Sequence, residues 1–414
     1  MSTDSRKLPE GCLFVALKGE RFDGNKYALA ALEKGAAYAI VSDADLPEND
    51  RLIHVKDTLK TLQDLGRHHR RQFDIPFIAI TGSNGKTTTK ELVSGVLSAK
   101  YKTHFTQGNF NNHIGVALTL LAIPDDTEIA VIEMGANHIG EIDFLCRIAE
   151  PNYGLITNVG KAHLEGFGGV EGVKQGKSEL YRFLNETKGT VFVNQDEAHL
   201  WDLLPRKTEF IGYAAGDNRD FKLESESTNP FINVTLESGL EKYDIKTKLI
   251  GAYNFNNILT AVTIGNYFNV ANGLIKDALE AYTPTNNRSQ FLEKNKNQYI
   301  LDAYNANPTS MCIALENFDE IDTLLPKIAI LGDMLELGEE STAEHQKIVD
   351  LAAEFTFTKT LLVGSEFFKT KLSVNMLHFE DVQALKTWFD AQHFSGFYFL
   401  VKGSRGIRLE QVLT

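Results

Sequence analysis

The strongest structural signal in this chain is the segment Phe77-Ile-Ala-Ile-Thr-Gly-Ser-Asn-Gly-Lys-Thr-Thr-Thr89. Its apolar start predicts a buried strand over 77–80, and a helical pattern follows the glycine loop through 90–99. A strand–loop–helix turn of this kind presents backbone N–H groups and a helix N-terminus to phosphate oxygens. The segment therefore predicts a nucleotide-binding phosphate loop. A chance glycine turn is the alternative, and the agreement of strand, loop, Lys-Thr pair and helix disfavours it.

The loop departs in one respect from the standard phosphate-loop pattern, because Ile80 stands where that pattern has glycine. The loop is therefore a short one. Within it, we expect Lys86 to bridge the β- and γ-phosphates and the Thr87 hydroxyl to hold Mg²⁺. The predicted ATP-binding residues are Gly82, Ser83, Asn84, Gly85, Lys86, Thr87 and Thr88.

Short apolar runs alternate with helical patterns along most of the chain. Besides 77–80, the predicted strands are 13–17, 37–41, 130–133, 154–157, 190–193, 328–331, 360–363 and 398–401. Strands spaced this way, with helices between them, predict an α/β fold with parallel sheets. The segment 216–248 has strand-like alternation and predicts a small antiparallel addition.

Loop-like compositions near 72–76 and 282–287 suggest two domain boundaries. The basic run 68–71 lies just before the first of them. It is interpreted as a solvated helix face rather than as an anion-binding patch.

The composition is that of a globular protein of 414 residues, 43% hydrophobic and 23% charged, with a net charge of −13. This balance disfavours nucleic acid and anionic membrane as partners. No apolar leader and no run of 18 apolar residues is present. Cys12, Cys146 and Cys312 are too far apart to predict a disulfide framework, which favours a reducing compartment. We therefore expect a cytoplasmic protein without integral membrane contact.

Polar residues at predicted strand ends are further candidates for the site. Glu133 ends an apolar strand, where open α/β sheets bind their ligands, and its carboxylate can reach a metal beside the phosphates. His163 follows the next strand, and for it a site role and a structural role stay open. Lys177, by its pattern alone, is interpreted as a surface lysine on a helix.

Several longer motifs extend along nearly the whole chain. They are Asp4-Ser-Arg6, Leu13-Phe-Val-Ala-Leu-Lys-Gly-Glu-Arg-Phe-Asp-Gly24, Asn109-Phe-Asn-Asn-His-Ile-Gly115, Glu133-Met-Gly-Ala-Asn-His-Ile-Gly-Glu-Ile142, Ala162-His-Leu-Glu-Gly-Phe-Gly168, Asp302-Ala-Tyr-Asn-Ala-Asn-Pro308, Gly332-Asp-Met-Leu-Glu-Leu-Gly338 and Lys402-Gly-Ser-Arg405. Together with the short phosphate loop, they resemble the Mur ligase family of ATP-dependent amide-forming enzymes, which also includes folylpolyglutamate synthases. They are most similar to the branch that extends UDP-N-acetylmuramoyl-tripeptide.

The resemblance implies an α/β fold of three domains. These are a small UDP-substrate-binding α/β domain (1–73), a central P-loop-type parallel-sheet ATPase domain (74–284) and a C-terminal Rossmann-like ligase domain (285–414). The two boundaries drawn from composition agree with this division.

The resemblance also implies roles for individual residues. Glu133, His163 and Thr87 match the metal site, which holds Mg²⁺ at two positions. Lys177 matches the lysine that reacts with CO₂ to form a carbamate, a carboxylate-like group that helps to place the second Mg²⁺. Nucleotide contacts beyond the loop are implied for Asn254 and Asn257 (adenine), Asp302 (ribose) and Arg288 (phosphates). The implied catalytic residues are Lys86, His163, Lys177 and Arg288.

Substrate contacts are implied at three places. Ser5 and Arg6 match the UDP side, with a domain-opening turn as the alternative. Asn111 and Asn112 are expected to line the muramoyl–peptide cleft, with a helix cap as the alternative. In the C-terminal domain, Asn305, Lys402, Ser404 and Arg405 are expected near the substrate once that domain closes. A structural turn stays open for Asn305 and Asn307, and a surface turn is the alternative for 402–405.

The implied activity is ATP-dependent joining of D-alanyl-D-alanine to UDP-N-acetylmuramoyl-tripeptide through an acyl phosphate, in a monomeric enzyme. The product is the pentapeptide precursor of peptidoglycan, which links the chain to cell-wall biogenesis, cell shape and cell division. The alternatives are another Mur-type or folylpolyglutamate-type ligase, or a non-catalytic ATP-binding scaffold. Retention of Lys86, Thr87, Glu133, His163 and Lys177 disfavours the scaffold.

Overall fold

The structure is a computed structural model, and it describes residues 1–20, 22–227 and 229–413. Within these ranges the chain forms three separate sheets of wholly or mainly parallel strands, one antiparallel sheet and one two-stranded ribbon. The predicted α/β class is confirmed.

The N-terminal region is built around a small parallel sheet. Its elements are β1 (Leu13–Val15), β2 (Lys18–Gly19), β3 (Phe22–Asp23), α1 (Ala28–Glu33), β4 (Tyr38–Val41), β5 (Leu52–His54) and α2 (Thr58–Arg70). The sheet has the strand order β1-β4-β5, and β2 pairs only with β3. The helix α1 covers one face of this sheet with alanine and leucine side chains, which form a small apolar core with the strands.

The central region carries a six-stranded sheet whose strands are all parallel. Its elements are β6 (Phe77–Thr81), α3 (Lys86–Ser98), β7 (Thr103–Phe105), α4 (Gly115–Leu121), β8 (Ile129–Glu133), α5 (Glu141–Ala149), β9 (Tyr153–Ile156), α6 (Leu164–Phe167), α7 (Val170–Lys177), α8 (Glu179–Thr187), β10 (Thr190–Asn194), α9 (Ala198–Asp202) and β11 (Glu209–Tyr213). In the order β11-β10-β9-β6-β8-β7, β6 lies between β8 and β9. The loops that follow these three strands therefore leave the same edge of the sheet, where α/β folds bind ligands.

An antiparallel sheet follows, as predicted for 216–248. Its strands are β12 (Gly216–Asp217), β13 (Lys222–Ser227), β14 (Phe231–Ser238) and β15 (Glu241–Ile250), and the helices α10 (Asn254–Tyr267) and α11 (Asn272–Ala281) come next. Both helices pack on α3. Ile258 and Val262 of α10 belong to the same buried apolar cluster as Val93 and Val96 of α3, so the helix after the phosphate loop is packed within the core.

The C-terminal region has a second six-stranded sheet. Its elements are β16 (Gln290–Lys294), β17 (Asn297–Asp302), α12 (Pro308–Glu320), β18 (Lys327–Gly332), α13 (Ser341–Glu354), β19 (Lys359–Val363), β20 (Met376–Phe379), α14 (Val382–Gln392) and β21 (Tyr398–Lys402). The order is β16-β17-β21-β18-β19-β20, parallel except for the antiparallel edge strand β16. Asp302 and Lys402 are direct neighbours at the ends of β17 and β21.

All nine apolar runs predicted to be strands form strands, with bounds that shift by one or two residues. The domain divisions at 73/74 and 284/285 stay predictions, and they fall between α2 and β6 and between α11 and β16. No helix within the described residues has the length and apolar character needed to cross a bilayer.

The interpretation of 68–71 as a solvated helix face is wrong for His69 and Arg70. Arg70 lies against the central region, where its guanidinium donates to the carbonyl oxygens of Ala149 (2.9 Å) and Glu150 (2.8 Å). It also packs over the Phe77 ring, 3.7 Å from the ring centre. His69 contacts the Ile123 carbonyl at 3.2 Å. The carbonyls at the end of α5 need donors, and α2 supplies them.

We expect Arg70→Ala to lower the free energy of unfolding by about 2 kcal/mol, because two carbonyls lose charge-assisted hydrogen bonds. The measurement is the midpoint of urea unfolding followed by far-UV circular dichroism. Arg71→Ala is the matched control, since Arg71 forms an exposed ion pair with Glu150 and its loss should cost less than about 1 kcal/mol. Equal midpoints for the two variants would contradict the assigned role of Arg70.

Candidate active site

A single cavity of about 1000 Å³ brings most of the predicted site residues together, with walls from both the central and the C-terminal regions. The predicted residues that line it are Ser83, Asn84, Gly85, Lys86, Thr87, Thr88, Asn111, Asn112, Glu133, His163, Asn254, Asn257, Arg288, Asp302, Asn305 and Lys402. Six others are not in its lining, namely Ser5, Arg6, Gly82, Lys177, Ser404 and Arg405.

The phosphate loop needs its two glycines because other chain segments approach it closely. Gly82 has φ 145°, and a Cβ there would lie 2.0 Å from Thr157 Oγ1. Gly85 has φ 78°, and a Cβ there would lie 2.8 Å from Asn257 Oδ1. Both positions combine a left-handed backbone with a close contact, so no larger residue fits. The helix α3 then begins at Lys86.

Lys86 folds back over its own loop. Its ammonium donates to the carbonyl oxygens of Gly82 (2.7 Å) and Ser83 (3.1 Å). Burial lowers the pKa of Lys86 to about 8, the Glu133 carboxylate opposes that shift, and the Arg288 guanidinium adds to it. A bound phosphate would supply the negative charge that this buried ammonium lacks.

Glu133 is buried at the end of β8, with one carboxylate oxygen engaged and one not. Its Oε1 accepts from Thr87 Oγ1 (3.1 Å) and from Asn111 Nδ2 (2.7 Å). Its Oε2 is buried and has no hydrogen-bond partner among the described residues. A buried carboxylate oxygen of this kind, beside a hydroxyl and next to a phosphate loop, fits a divalent cation.

His163 lines the cavity and faces the C-terminal region. Its Nδ1 contacts Oε2 of Glu336, and both residues have positive φ, 53° and 63°. Two residues before it, the Lys161 ammonium pairs with Glu344 at 2.7 Å. Among the described residues, no group of three or more His, Cys, Asp and Glu side chains is placed to hold a metal. A cation beside the phosphate loop would therefore be held by Thr87, by Glu133 and by further ligands that do not belong to a cluster of these four residue types.

The interpretation of Lys177 as a surface lysine is wrong. Its side chain is 1% exposed, and its Nζ donates to the Ala136 carbonyl at 3.2 Å. The same Nζ lies 5.3 Å from the centre of the Phe167 ring. Burial holds the pKa of Lys177 well below its usual range, and the Lys86 ammonium adds to this effect. Lys177 therefore lies behind the cavity wall as an amine that loses its proton easily.

Asn254 and Asn257 lie one helical turn apart at the start of α10. Their side chains form one hydrogen-bonded chain. Asn257 Nδ2 donates to Asn254 Oδ1 at 2.8 Å, and Asn254 Nδ2 donates to the Ile250 carbonyl at 2.7 Å. Thr89 Oγ1 donates to Asn257 Oδ1 at 2.9 Å, which ties the pair to α3. The two side chains are thus held rigidly beside Gly85.

The C-terminal wall carries charged groups that already have partners. Lys402 is buried, and its Nζ donates to Asp302 Oδ2 at 2.5 Å. Asp302 Oδ1 accepts from the backbone N–H of Ser289 at 3.1 Å. The guanidinium of Arg288 lies over the Tyr304 ring, with its Cζ 3.6 Å from the ring centre. Within the cavity, Lys402 is neutralised and Arg288 is held in place.

The remaining predicted substrate residues have local partners. Ser404 is buried, and its Oγ accepts from the Leu335 N–H at 3.1 Å, while the Arg405 guanidinium lies 5.3 Å from the Tyr304 ring centre. Arg6 is exposed and forms a two-point contact with Asp4 at 2.9 and 2.8 Å.

Asn112 lines the cavity and also caps α4, because its Oδ1 accepts from the N–H groups of Ile114 (3.1 Å) and Gly115 (2.9 Å). The helix-cap alternative therefore holds for this side chain, without removing it from the cavity wall.

Two residues that sequence reasoning missed hold the tip of the phosphate loop. Asn158 Oδ1 accepts from the Asn84 N–H at 3.0 Å, and Thr157 Oγ1 donates to the Asn84 carbonyl at 2.7 Å. Both residues directly follow β9. Their position after a strand adjacent to β6 was the available signal, since neighbouring parallel strands end at the same edge.

The phosphate loop lies on a parallel sheet and faces a second sheet, of Rossmann-like order, across a polar cavity. This arrangement defines a class of nucleotide-dependent enzymes whose active site is shared between two regions of the chain. Three family models match the chain: "Mur ligase family, catalytic domain" at residues 1–70, "Mur ligase middle domain" at 80–265 and "Mur ligase, glutamate ligase domain" at 287–405.

Similar proteins match over the full length. The UDP-N-acetylmuramoyl-tripeptide–D-alanyl-D-alanine ligases of Bacillus subtilis and Escherichia coli are 35% and 36% identical, over 100% of this chain and 92% of theirs. The crystal structure of MurF from Acinetobacter baumannii has a TM-score of 0.85 at 32% identity, over 100% of this chain and 92% of that one. MurF ligase from Thermotoga maritima in complex with ADP has a TM-score of 0.85 at 27% identity, over 100% of this chain and 95% of that one. The chain belongs to the Mur ligase family.

The depressed pKa of Lys86 predicts that nucleotide binding takes up protons. Its pKa is about 8 without ligand, and the phosphates raise it. At a pH near 8, ADP binding should therefore take up about half a proton from this group, and near pH 6.5 almost none. The measurement is calorimetric titration in buffers with different enthalpies of ionisation. Lys86→Arg is the control, because arginine stays charged and should abolish the uptake. The assignment would be contradicted if the unsubstituted chain took up no protons on binding ADP near pH 8, or if the Lys86→Arg variant still took them up.

Proposed function

We propose that this chain is an ATP-dependent, ADP-forming ligase that joins D-alanyl-D-alanine to UDP-N-acetylmuramoyl-tripeptide and so makes a pentapeptide precursor of peptidoglycan. The observation that carries the proposal is one cavity shared by the phosphate loop, the buried Glu133 and the C-terminal residues Arg288 and Lys402. Relatives that bear this activity in their names, at 35% and 36% identity over the whole chain, support it.

The reaction needs an activated carboxylate, because an amine does not displace hydroxide from a free acid in water. The terminal carboxylate of the tripeptide attacks the γ-phosphorus of ATP, the bond to the β,γ-bridging oxygen breaks, and ADP leaves. The amine of D-alanyl-D-alanine then attacks the acyl phosphate, forms a tetrahedral intermediate, and gives the amide, inorganic phosphate and a proton. Such phosphoryl transfer depends mainly on positioning and on charge stabilisation.

Lys86 and Arg288 are the cations assigned to the transferred phosphoryl group. Lys86 reaches it from the phosphate loop, and Arg288 reaches it from the far wall of the cavity, where Tyr304 holds its guanidinium plane. The two cations come from different regions of the chain. The site therefore completes its positive charge only when both regions meet, and their meeting also screens the acyl phosphate from water.

Thr87 and Glu133 are the residues proposed to hold Mg²⁺, with His163 and a modified Lys177 at a second position. The fit is supported by the unpartnered Oε2 of Glu133 and by its neighbouring hydroxyl. When bound, Mg²⁺ supplies positive charge against the phosphate oxygens.

Lys177 is proposed to carry a carbamate. Its buried amine, whose pKa is held well below the usual range, has the free electron pair that attack on CO₂ requires. The C–N bond forms as one C=O electron pair moves to oxygen, and the amine releases one proton. The neutral amine thereby becomes an anion near Lys86, which favours the charge of Lys86, whereas a protonated Lys177 would repel it.

The substrate assignments follow the cavity walls. Asn111, Asn112 and Asn305 line the cavity and are proposed to contact the peptide part. Ser5 and Arg6 are proposed to contact the UDP part from the N-terminal region. Asn254, Asn257 and Asp302 are proposed to contact the nucleoside of ATP.

The test is an end-point assay of phosphate release and of pentapeptide mass, with ATP, Mg²⁺, bicarbonate and UDP-N-acetylmuramoyl-tripeptide, with and without D-alanyl-D-alanine. We expect phosphate and product to appear in equal amounts, and only with the dipeptide. Nucleotide binding without any product would contradict the ligase and favour a scaffold. Product in a parallel assay, with a folate and glutamate in place of the two peptide substrates, would favour the folylpolyglutamate-type alternative.

Lys177→Ala should lower kcat in this assay at least a hundredfold, because both the carbamate and its charge are lost. Lys174→Ala is the matched control, since Lys174 lies on the same helix and pairs with Glu171 on the surface. Its kcat should stay within about twofold of the unsubstituted enzyme. If small carboxylic acids restored the activity of the Lys177→Ala variant, that result would support a carbamate on Lys177. Full activity of Lys177→Ala without such acids would exclude a catalytic role of the carbamate.

Glu133→Gln should raise the Mg²⁺ concentration needed for half-maximal rate at least tenfold, because the amide keeps the shape of the side chain and removes the charge. Thermal unfolding without metal serves as the control for folding. An unchanged Mg²⁺ requirement would contradict Glu133 as a metal ligand.

A further inference from the structure

A hydrogen bond between Asn84 and Asn307 joins the tip of the phosphate loop to the C-terminal region. Asn307 Nδ2 donates to Asn84 Oδ1 at 2.7 Å, across 223 residues of sequence. Asn307 is buried, and Asn84 lines the cavity. The contact therefore brings a group from outside the central region directly onto the loop that is proposed to bind the nucleotide.

The orientation of the Asn307 amide follows from its other partner. Asn307 caps α12, and its Oδ1 accepts from the Ser310 N–H at 2.9 Å. Ser310 Oγ in turn accepts from the Asn307 N–H at 3.1 Å, and Pro308 begins the helix. Because the oxygen is engaged by the helix, only the NH₂ group can face Asn84, and a flipped amide would lose the cap.

The backbone groups of Asn84 are fixed by the central region. Asn158 accepts from the Asn84 N–H at 3.0 Å and donates to the Asn84 carbonyl at 3.0 Å, while Thr157 also donates to that carbonyl. The side-chain oxygen of Asn84 accepts from Asn307 of the C-terminal region. The tip of the loop is thus held on one side by the segment after β9 and on the other by the cap of α12.

The two regions also approach closely beside this bond. The Lys161 N–H donates to Thr309 Oγ1 at 3.1 Å, and a Cβ on Gly160 would lie 3.0 Å from the same oxygen. Gly160 is itself tied to the phosphate loop, because its N–H donates to Ser83 Oγ at 2.9 Å. The segment 158–161 is therefore held between the phosphate loop and the N-terminal end of α12.

We propose that Asn307 is a positioning residue that couples docking of the C-terminal region to nucleotide affinity, through its hydrogen bond to Asn84. The proposal rests on the proposed function, in that the nucleotide binds the loop at 82–88. If docking favours the loop conformation that binds the nucleotide, then the nucleotide favours docking by the same factor. A role of Asn307 as a helix cap alone would produce no such coupling.

The decisive variant is Asn307→Ser. Serine is as good a helix cap as asparagine, but it lacks the NH₂ group that reaches Asn84. Asn84 Oδ1 then loses its donor inside a closed interface, and we expect ADP and ATP to bind about tenfold more weakly in the presence of Mg²⁺. Asn307→Thr is the second variant, since threonine also caps a helix, lacks the NH₂ group and adds no charge beside the phosphate loop.

Ser310→Ala is the matched control. It removes one half of the capping box and leaves the bond from Asn307 to Asn84 in place. We expect a lower thermal midpoint with nucleotide affinity within about twofold of the unsubstituted chain. An equal loss of affinity in Ser310→Ala would show that Asn307 acts through the helix cap, and would overturn the proposal.

A double-mutant cycle with Asn84→Ala separates positioning from general damage. If the bond carries the effect, Asn307→Ser should weaken binding about tenfold in the unsubstituted background and less than twofold in Asn84→Ala. Additive losses in the double variant would overturn the proposal.

Small-angle scattering supplies a readout apart from affinity. The unsubstituted chain should become more compact on addition of ADP and Mg²⁺, and Asn307→Ser should need about tenfold more ADP for the same change. Unchanged ADP affinity in a folded Asn307→Ser variant overturns this proposal and leaves the proposed function intact. Absence of any nucleotide binding in the unsubstituted chain would overturn both.

Discussion

The interaction on which the site depends is the crowding of positive charges at the carboxyl edge of the central sheet. Lys177 is buried there and Lys86 is partly buried near it, while Arg288 approaches Lys86 from the opposite wall. The Glu133 carboxylate opposes the pKa shift of Lys86, and Glu141 and Glu179 oppose that of Lys177. Because an ion loses its hydration on burial, this set is costly without more negative charge. The pKa of each lysine is accordingly lowered. A polyphosphate supplies the missing charge, so the arrangement is electrostatically matched to the complex rather than to the free protein.

The sheet topology explains why these groups meet. β6 lies between β8 and β9, and all three strands run in the same direction, so the phosphate loop, Glu133 and the segment from Thr157 to Asn158 leave at one edge. The C-terminal sheet repeats the rule, because Asp302 and Lys402 end adjacent parallel strands. Each sheet presents its carboxyl edge to the same cavity, and the chemistry lies between two such edges.

Much of this could be predicted from the sequence, because a parallel strand that is buried on both faces is a continuous apolar run. The strands that escaped prediction, such as β7 and β16, are short or only half-buried edge strands with polar residues. The predictions that Lys177 and Arg70 lie on solvated helix surfaces were wrong for a different reason. Lys177 is buried and Arg70 is partly buried, and each donates to a carbonyl oxygen that is 41 or 79 residues away in the sequence. No local pattern records such a partner. The motif resemblance pointed to Lys177 where periodicity had placed it on the surface.

The division of the cavity between two regions has a physical consequence for its chemistry. Lys402 is already neutralised by Asp302, so the positive charge that the C-terminal region can offer to a phosphoryl group is that of Arg288, held on Tyr304. In the central region, the carboxylate of Glu133 offsets part of the charge of Lys86. A nucleotide bound only to the central region would therefore meet less positive charge than one that also contacts Arg288 on the C-terminal wall. Phosphoryl transfer depends on that charge, so the contacts that dock the two regions also decide when the site is competent. In the proposed reaction, the same contacts would also keep water away from the acyl phosphate once it has formed.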